Sequence, residues 1–140
     1  MVELTWVPME LAWLYGFFVA EGCITNGKMR IDNTKEHLLI RAKKIFLQYL
    51  AVDSSIDYAR KNGVLRLNIH KPFDIAKIFY KDFYATDKNK KIPKIILNAD
   101  MHTKLAFLEG YNCGDGDTNN SVRSKYYRFK TKSPILAMGL

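Results

Sequence analysis

Two segments of the sequence carry the same pattern of residues that could do chemistry. Residues 14–22 and 108–116 each place leucine first, glycine third, a small residue seventh, a carboxylate eighth and glycine last. The two acids, Glu21 and Asp115, are 94 positions apart (115 minus 21). Self-similarity within one chain indicates a repeated structural unit, so the two acids are predicted to hold equivalent places.

The spacing within each copy predicts helices that pack closely and end at the acids. The third and seventh residues are four apart and so share a helix face, as Gly16 and Ala20 do in the first copy. Small residues at that spacing let two helix backbones approach. If the helices lie parallel and in register, Glu21 and Asp115 meet at helix C-termini, where unpaired carbonyls already add negative charge.

Two carboxylates in such a place predict a bound divalent cation, because without one they repel each other and the helix dipoles. Oxygen-only ligands suit Mg²⁺, so we expect Mg²⁺ or another divalent cation such as Mn²⁺. A metal between carboxylates can activate water and stabilise the leaving oxygen in phosphodiester cleavage. One such helix alone is more often structural, and the matched pair favours a functional acid site.

The elements that must position the acids follow a regular order. The pattern predicts a helix opened by Pro8–Glu10, strands at 23–25 and 28–32, a helix capped by Asn33 or Thr34 and reaching Leu50, strands at 54–60 and 64–70, and a helix from Pro72. Residues 1–100 would form one αββαββα unit with a connector, and 101–140 the start of a second, incomplete unit. We expect an α+β fold with an antiparallel sheet.

Details of these elements are also predicted. Asn26-Gly27 is a favoured two-residue hairpin turn, and Gly22 and Gly116 fit left-handed residues that end helices. A strand at Tyr127–Lys130 and a helix capped by Ser133 would follow in the second unit. The inward stripes of the second and third helices are predicted to be Leu38, Leu39, Ala42, Ile45, Phe46 and Tyr49, and Ile75, Ile78 and Phe79.

The strands alternate between apolar and polar residues, which predicts one face on the core and one face outward. Two-stranded ribbons fit the DNA major groove, where Arg, Asn and His can read base edges. A merely solvated face is the alternative, and most alternating strands have one. The predicted DNA-contacting residues are Lys28, Arg30, Arg60, Lys61, Arg66, Asn68, His70, Arg128 and Lys130.

Composition favours a nucleic-acid partner. The chain of 140 residues has 22 Lys and Arg against 14 Asp and Glu, a formal net charge of +8, and such a balance suits a polyanion. There is no apolar run of about 20 residues for a bilayer span, and the start lacks a secretory-signal layout. The two cysteines cannot form a disulfide framework. We therefore expect a cytoplasmic protein without a membrane partner.

Both nine-residue segments resemble the LAGLIDADG signature, and the unit between them is similar to the repeat of that homing-endonuclease family, above all its dodecapeptide, intein-type members. The resemblance covers essentially the whole chain. It implies a saddle of strands in the major groove of double-stranded DNA and metal-dependent, site-specific cleavage. It further implies metal binding by Glu21 and Asp115 with the carbonyls of Ala20 and Gly114. It also implies an active-site lysine before an Ile-Pro pair, for which Lys90 is the better match.

The resemblance leaves two other functions open. A catalytically silent nucleic-acid-binding module of the same fold would be a transcription regulator or an RNA maturase. A structural fragment would form a dimer by pairing through its exposed helices, whereas the full protein is expected to act as a monomer with pseudo-twofold symmetry. The chain also lacks a nucleophilic first residue and a final His-Asn, so it is not expected to splice itself.

Overall fold

The structure is a computed structural model that describes residues 7–59, 61–70, 73–84 and 90–115, with only the backbone of Lys61, Phe73, Asp74 and Asp115. The elements are α1 (Met9–Glu21), β1 (Gly22–Thr25), β2 (Lys28–Asn33), α2 (Glu36–Leu50), β3 (Ser54–Asp57), β4 (Leu65–Ile69), α3 (Phe73–Phe83), α4 (Lys94–Leu97) and α5 (Met101–Asp115). The predicted α+β class and the αββαββα order are confirmed. The short helix α4 was not predicted, and the predictions for residues 116–140 lie outside the described residues.

The four strands form one antiparallel sheet in the order β1-β2-β4-β3. The β1–β2 turn is the predicted one: Asn26 and Gly27 have φ of 53° and 73°, as a two-residue hairpin requires. Strand residues alternate between the core and the outer face, with Met29, Ile31 and Leu67 buried. The outer face of the sheet is therefore polar, as its sequence predicted.

Helix α1 lies at the centre of the molecule. Its apolar residues include Trp13, Leu14, Phe17 and Phe18, all at most 1% exposed. Such a helix needs neighbours on every side, and α1 contacts α2, α5, β1 and β2. Aromatic side chains of α3 pack on it too, with the ring centroid of Phe79 5.2 Å from that of Phe18.

Two predictions about helix faces are wrong. Tyr49 is 38% exposed although Leu38, Leu39, Ala42, Ile45 and Phe46 are buried as predicted, because Tyr49 lies in the last turn of α2, where the chain leaves for β3. Ile78 is 52% exposed. Each helical residue turns by about 100°, so a buried stripe of Ile75, Ala76, Phe79 and Phe83 leaves Ile78 well to one side.

The start of α2 also differs from the prediction. The helix begins at Glu36 with Lys35 as its N-cap, and no side chain caps it. Asn33 instead accepts a hydrogen bond at its Oδ1 from the backbone N–H of Lys35, with a donor–acceptor distance of 2.8 Å. This short Asx turn, of the kind Asn favours, leads the chain out of β2 before the helix begins.

Helix α5 exposes apolar side chains on the side away from α1. Leu105 is 53% and Met101 66% exposed. Their counterparts at the repeat offset of 94 (115 minus 21) are Leu11 and Val7, which are 5% and 3% exposed. The described elements thus cover α1 far better than the matching face of α5.

Candidate metal and nucleic-acid site

The first part of the candidate site is the close pairing of α1 with α5. A Cβ built on Gly16 would lie 1.8 Å from the carbonyl oxygen of Phe107, and one built on Gly110 would lie 1.9 Å from the carbonyl oxygen of Trp13. Adding 94 (115 minus 21) to 16 and 13 gives 110 and 107. Each helix therefore uses its repeated glycine in the same way, and the pair has a local pseudo-twofold axis.

The carboxyl ends of the two helices meet beyond these glycines. A Cβ built on Gly114 would lie 2.7 Å from Cβ of Ala20 and 3.0 Å from Cγ of Glu21. Gly16 lies against Phe107, and Glu21, which is further along α1, lies against Gly114, which is further along α5. The two helices therefore run parallel. Glu21 therefore lies against the residue that precedes Asp115, whose backbone ends α5 and whose side chain lies outside the described part.

The prediction of a left-handed cap at Gly22 is wrong. Its φ of −76° and ψ of 156° are extended, and it is the first residue of β1. Glycine is required there for space, because a Cβ would lie 2.0 Å from Cδ1 of the Phe18 ring. The chain passes directly from α1 into β1 at Gly22, so Glu21 stands at the junction of helix and sheet.

Lys90 lies at the same end of α1. Its ammonium donates hydrogen bonds to the backbone carbonyl oxygens of Phe18 at 3.2 Å, Val19 at 3.1 Å, and Gly22. Nζ is also 5.4 Å from the centre of the Phe18 ring. A cation at a helix C-terminus opposes the negative end of the dipole. The lysine singled out by the family resemblance is therefore a cap of the acid-bearing helix.

We predict that Lys90→Met lowers the free energy of unfolding by about 1–3 kcal/mol, because carbonyls that a charged donor satisfied are left with weaker partners. Chemical denaturation measures this change. Lys44→Met, at an exposed position of α2, is the matched control and should change stability by less than about 0.5 kcal/mol. Equal stability of the two variants would contradict a capping role for Lys90.

The second part of the candidate site is the outer face of the sheet, where the register sets the polar side chains in rows. One row contains Cys23, Arg30, Asn68 and Ser55, taken from β1, β2, β4 and β3. Beyond it, His70 Nε2 and Ser55 Oγ are 2.8 Å apart in a hydrogen bond. These rows bring residues from two hairpins onto one surface, as DNA contact would require.

A second row contains Asp32, Arg66 and Asp57. Arg66 donates from Nε to Oδ1 of Asp32 at 2.7 Å and from Nη2 to Oδ2 at 2.9 Å. This hydrogen-bonded pair raises the pKa of Arg66 above its ordinary value, and the charges of Asp32 and Asp57 add to the effect while desolvation opposes it. Arg66 is thus paired with a carboxylate, which inspection of single strands did not reveal.

The structure describes some of the other residues that were predicted to contact DNA, and the rest lie wholly or partly outside the described residues. Lys28, Asn68 and His70 are exposed and Arg30 is half-buried. Lys28, Asn68, His70 and Ser55 also line a depression of about 680 Å³ at the end of the sheet that carries the β1–β2 turn. Lys61 is described only as backbone of a 3-10 turn, and Arg60, Arg128 and Lys130 lie outside the described residues.

Two properties concern the described part as a whole. Among its residues, no three His, Cys, Asp or Glu side chains form a group that could hold a metal ion, and Asp115 could not contribute to that search because its side chain is not described. None of the described helices has the length and apolar character needed to cross a membrane.

The sequence of the chain is similar to parts of several polymerases. The chain is 28% identical over 148 residues to a DNA polymerase of Acanthamoeba polyphaga mimivirus, covering 96% of this chain and 8% of that protein. It is 37% identical over 73 residues to a DNA polymerase of Thermococcus hydrothermalis, covering 51% and 4%. It is 25% identical over 135 residues to DNA-directed RNA polymerase subunit Rpo1C of Methanocaldococcus jannaschii, covering 94% and 15%. No family model matches the chain.

Proposed function

We propose that this chain is part of a LAGLIDADG-type homing endonuclease, carried in an intein, that cuts both strands of DNA at a specific site with a divalent metal ion. The observation that carries the proposal is the parallel α1–α5 pair, whose matching glycines bring Glu21 against Gly114. Helix pairing through small residues is a common structural device. The repeated acid at the point where both helices end is the feature that favours catalysis.

Glu21 and Asp115 would hold the ion, with help from the backbone carbonyls of Ala20 and Gly114. These donors are all oxygens, which suit Mg²⁺ or Mn²⁺ better than zinc, and Ala20 and Glu21 lie against Gly114. When bound, the metal supplies an activated water and stabilises the leaving oxygen. Lys90 offsets part of the negative charge at the end of α1, and a lysine there would also stabilise charge on a scissile phosphate.

The comparisons support a module carried inside host proteins. Nearly the whole chain aligns both with a protein named DNA polymerase and with one named as an RNA polymerase subunit. The chain spans only 4–15% of the length of the three relatives described above. A segment shared by two different kinds of polymerase, and so small a part of each, fits an inserted element better than a polymerase active site.

The outer face of the sheet would lie in the DNA major groove. Lys28, Arg30, Asn68 and His70 share this face, and the chain as a whole has a net charge of +8. Lys28 can contact phosphates, and Arg30, Asn68 and His70 can contact base edges.

A DNA-binding module without cleavage is the second candidate. It is favoured by the hydrogen bonds of Lys90, which give that lysine a structural role at the end of α1. In a protein that has no catalytic metal, such a cap would offset the negative charge at the end of α1.

Incubating the whole protein of which this chain is a part with a randomised duplex library, with and without Mg²⁺, separates these functions. Endonuclease activity predicts double-strand ends that depend on Mg²⁺ and share a sequence. Binding that weakens as salt is raised, with no Mg²⁺-dependent ends, would leave the silent module as the function. Absence of binding at low salt would contradict both candidates.

A further inference from the structure

The pair formed by Arg66 and Asp32 has a geometry that simple strand stability does not require. The guanidinium uses Nε and Nη2 together on the two carboxylate oxygens, at 2.7 and 2.9 Å. The side chains of Arg66 and Asp32 are 21% and 33% exposed. A two-point contact fixes the plane of the guanidinium as well as its position. Arg66 is therefore held in one orientation on the outer face of the sheet.

The charges around Arg66 argue against a contact with phosphate. Asp32 and Asp57 are its cross-strand neighbours on either side, and the charges of both raise the pKa of Arg66. Two of the three side chains in this row are negative and one is positive. Such a row would repel a phosphate group, whereas the edge of a neutral base has no net charge to be repelled.

The edge of the Arg66 guanidinium that does not contact Asp32 carries a pair of N–H donors that could bind the edge of a base. A guanidinium has two edges that can donate a pair of parallel hydrogen bonds, one through Nε and Nη2 and one through Nη1 and Nη2. Asp32 takes the first edge, and the second edge points away from that carboxylate. Two parallel N–H donors on Arg match O6 and N7 of guanine in the major groove.

We propose that Arg66 reads a guanine and that Asp32 determines this specificity by fixing the orientation of Arg66. The inference rests on the proposed function, because it needs this face of the sheet to lie against DNA. Asp32 would contact no DNA and would act only through Arg66. Without the carboxylate, the arginine would have several rotamers and could pair with phosphates instead, since its charge would no longer be offset.

Sequencing the duplexes bound by the chain from a randomised library, in EDTA so that no cleavage occurs, tests the inference. The wild type should prefer guanine at one position, and Arg66→Lys should reduce that preference by about 10-fold or more, because lysine lacks the two-point edge. Asp32→Asn should reduce the same preference at the same position. Other positions of the bound sequence should be unchanged in both variants.

Asp57→Asn is the matched control, because it removes one negative charge beside Arg66 while both Asp32 hydrogen bonds remain. It should keep the guanine preference. If all four proteins bind DNA with the same base preferences, the pair is only a cross-strand ion pair and the inference is wrong. If the folded wild type binds no DNA, the proposed function itself fails. Thermal melting identifies any variant that has unfolded. If Arg66→Lys has unfolded, the guanine preference of the isosteric Asp32→Asn variant decides whether the inference holds.

Discussion

Glu21→Gln should lower the rate of Mg²⁺-dependent DNA cleavage by at least about 100-fold. Glutamine keeps the size of the side chain but loses the charge that holds the metal, and a catalytic metal stabilises the transition state by several kcal/mol, with each 1.4 kcal/mol worth about tenfold in rate. Asp115→Asn should cause a loss of similar size, because the repeat gives both acids equivalent places. The measurement is the rate of cutting of a duplex selected by the wild type.

The control for this prediction is Glu109→Gln, which changes an exposed acid of the same helix that bears Asp115. It should cut at the wild-type rate. DNA binding by Glu21→Gln should persist, since the charge it removes is negative. Normal cutting by Glu21→Gln would remove Glu21 from the catalytic site, whatever the behaviour of the other variants.

Gly16→Ala should destabilise the protein by at least about 3 kcal/mol, near the upper end of what overpacking a core costs. The added methyl would lie 1.8 Å from the carbonyl oxygen of Phe107. Because that atom belongs to the backbone, the helices themselves must separate to make room. Gly110→Ala meets the carbonyl of Trp13 at 1.9 Å and should cost about as much. Urea denaturation measures both changes.

Gly63→Ala is the control for these two variants. Its Cβ would meet nothing within 4 Å, but its φ of +71° is left-handed, so it should cost only about 1–2 kcal/mol through backbone strain. A Gly16→Ala protein as stable as the wild type would mean that α1 and α5 do not approach so closely. The proposed meeting of Glu21 and Asp115 would then lose its structural basis.

The sheet and its outward face followed from the sequence because they depend on local rules. Asn26-Gly27 specifies its turn with two adjacent residues, and the alternation along β2 and β4 sets which side chains face the core. The pairing of α1 with α5 could also be predicted, because its two halves carry the same small-residue pattern and the repeat identifies the faces that meet.

The features that could not be predicted depend on contacts between distant parts of the chain. Lys90 caps α1 from 68 positions beyond Gly22, and Arg66 meets Asp32 from 34 positions away. Neither contact produces a periodic pattern in the sequence. Gly22 was assigned to a left-handed cap from its place after a helix, but the Phe18 ring decides its role. Ile78 was assigned to the core by its apolarity, whereas rotation about α3 sets its exposure.

A crystal structure of the chain grown with Mn²⁺, with the ion located by its anomalous scattering, tests most directly whether Glu21 and Asp115 share a metal ion. A shared metal ion predicts a peak between the carboxyl ends of α1 and α5, with carboxylate oxygens of both Glu21 and Asp115 in its coordination shell at about 2.0–2.3 Å. A map in which both carboxylates are ordered, have no peak between them and lie too far apart to share one ion would mean that Glu21 and Asp115 do not form a metal site.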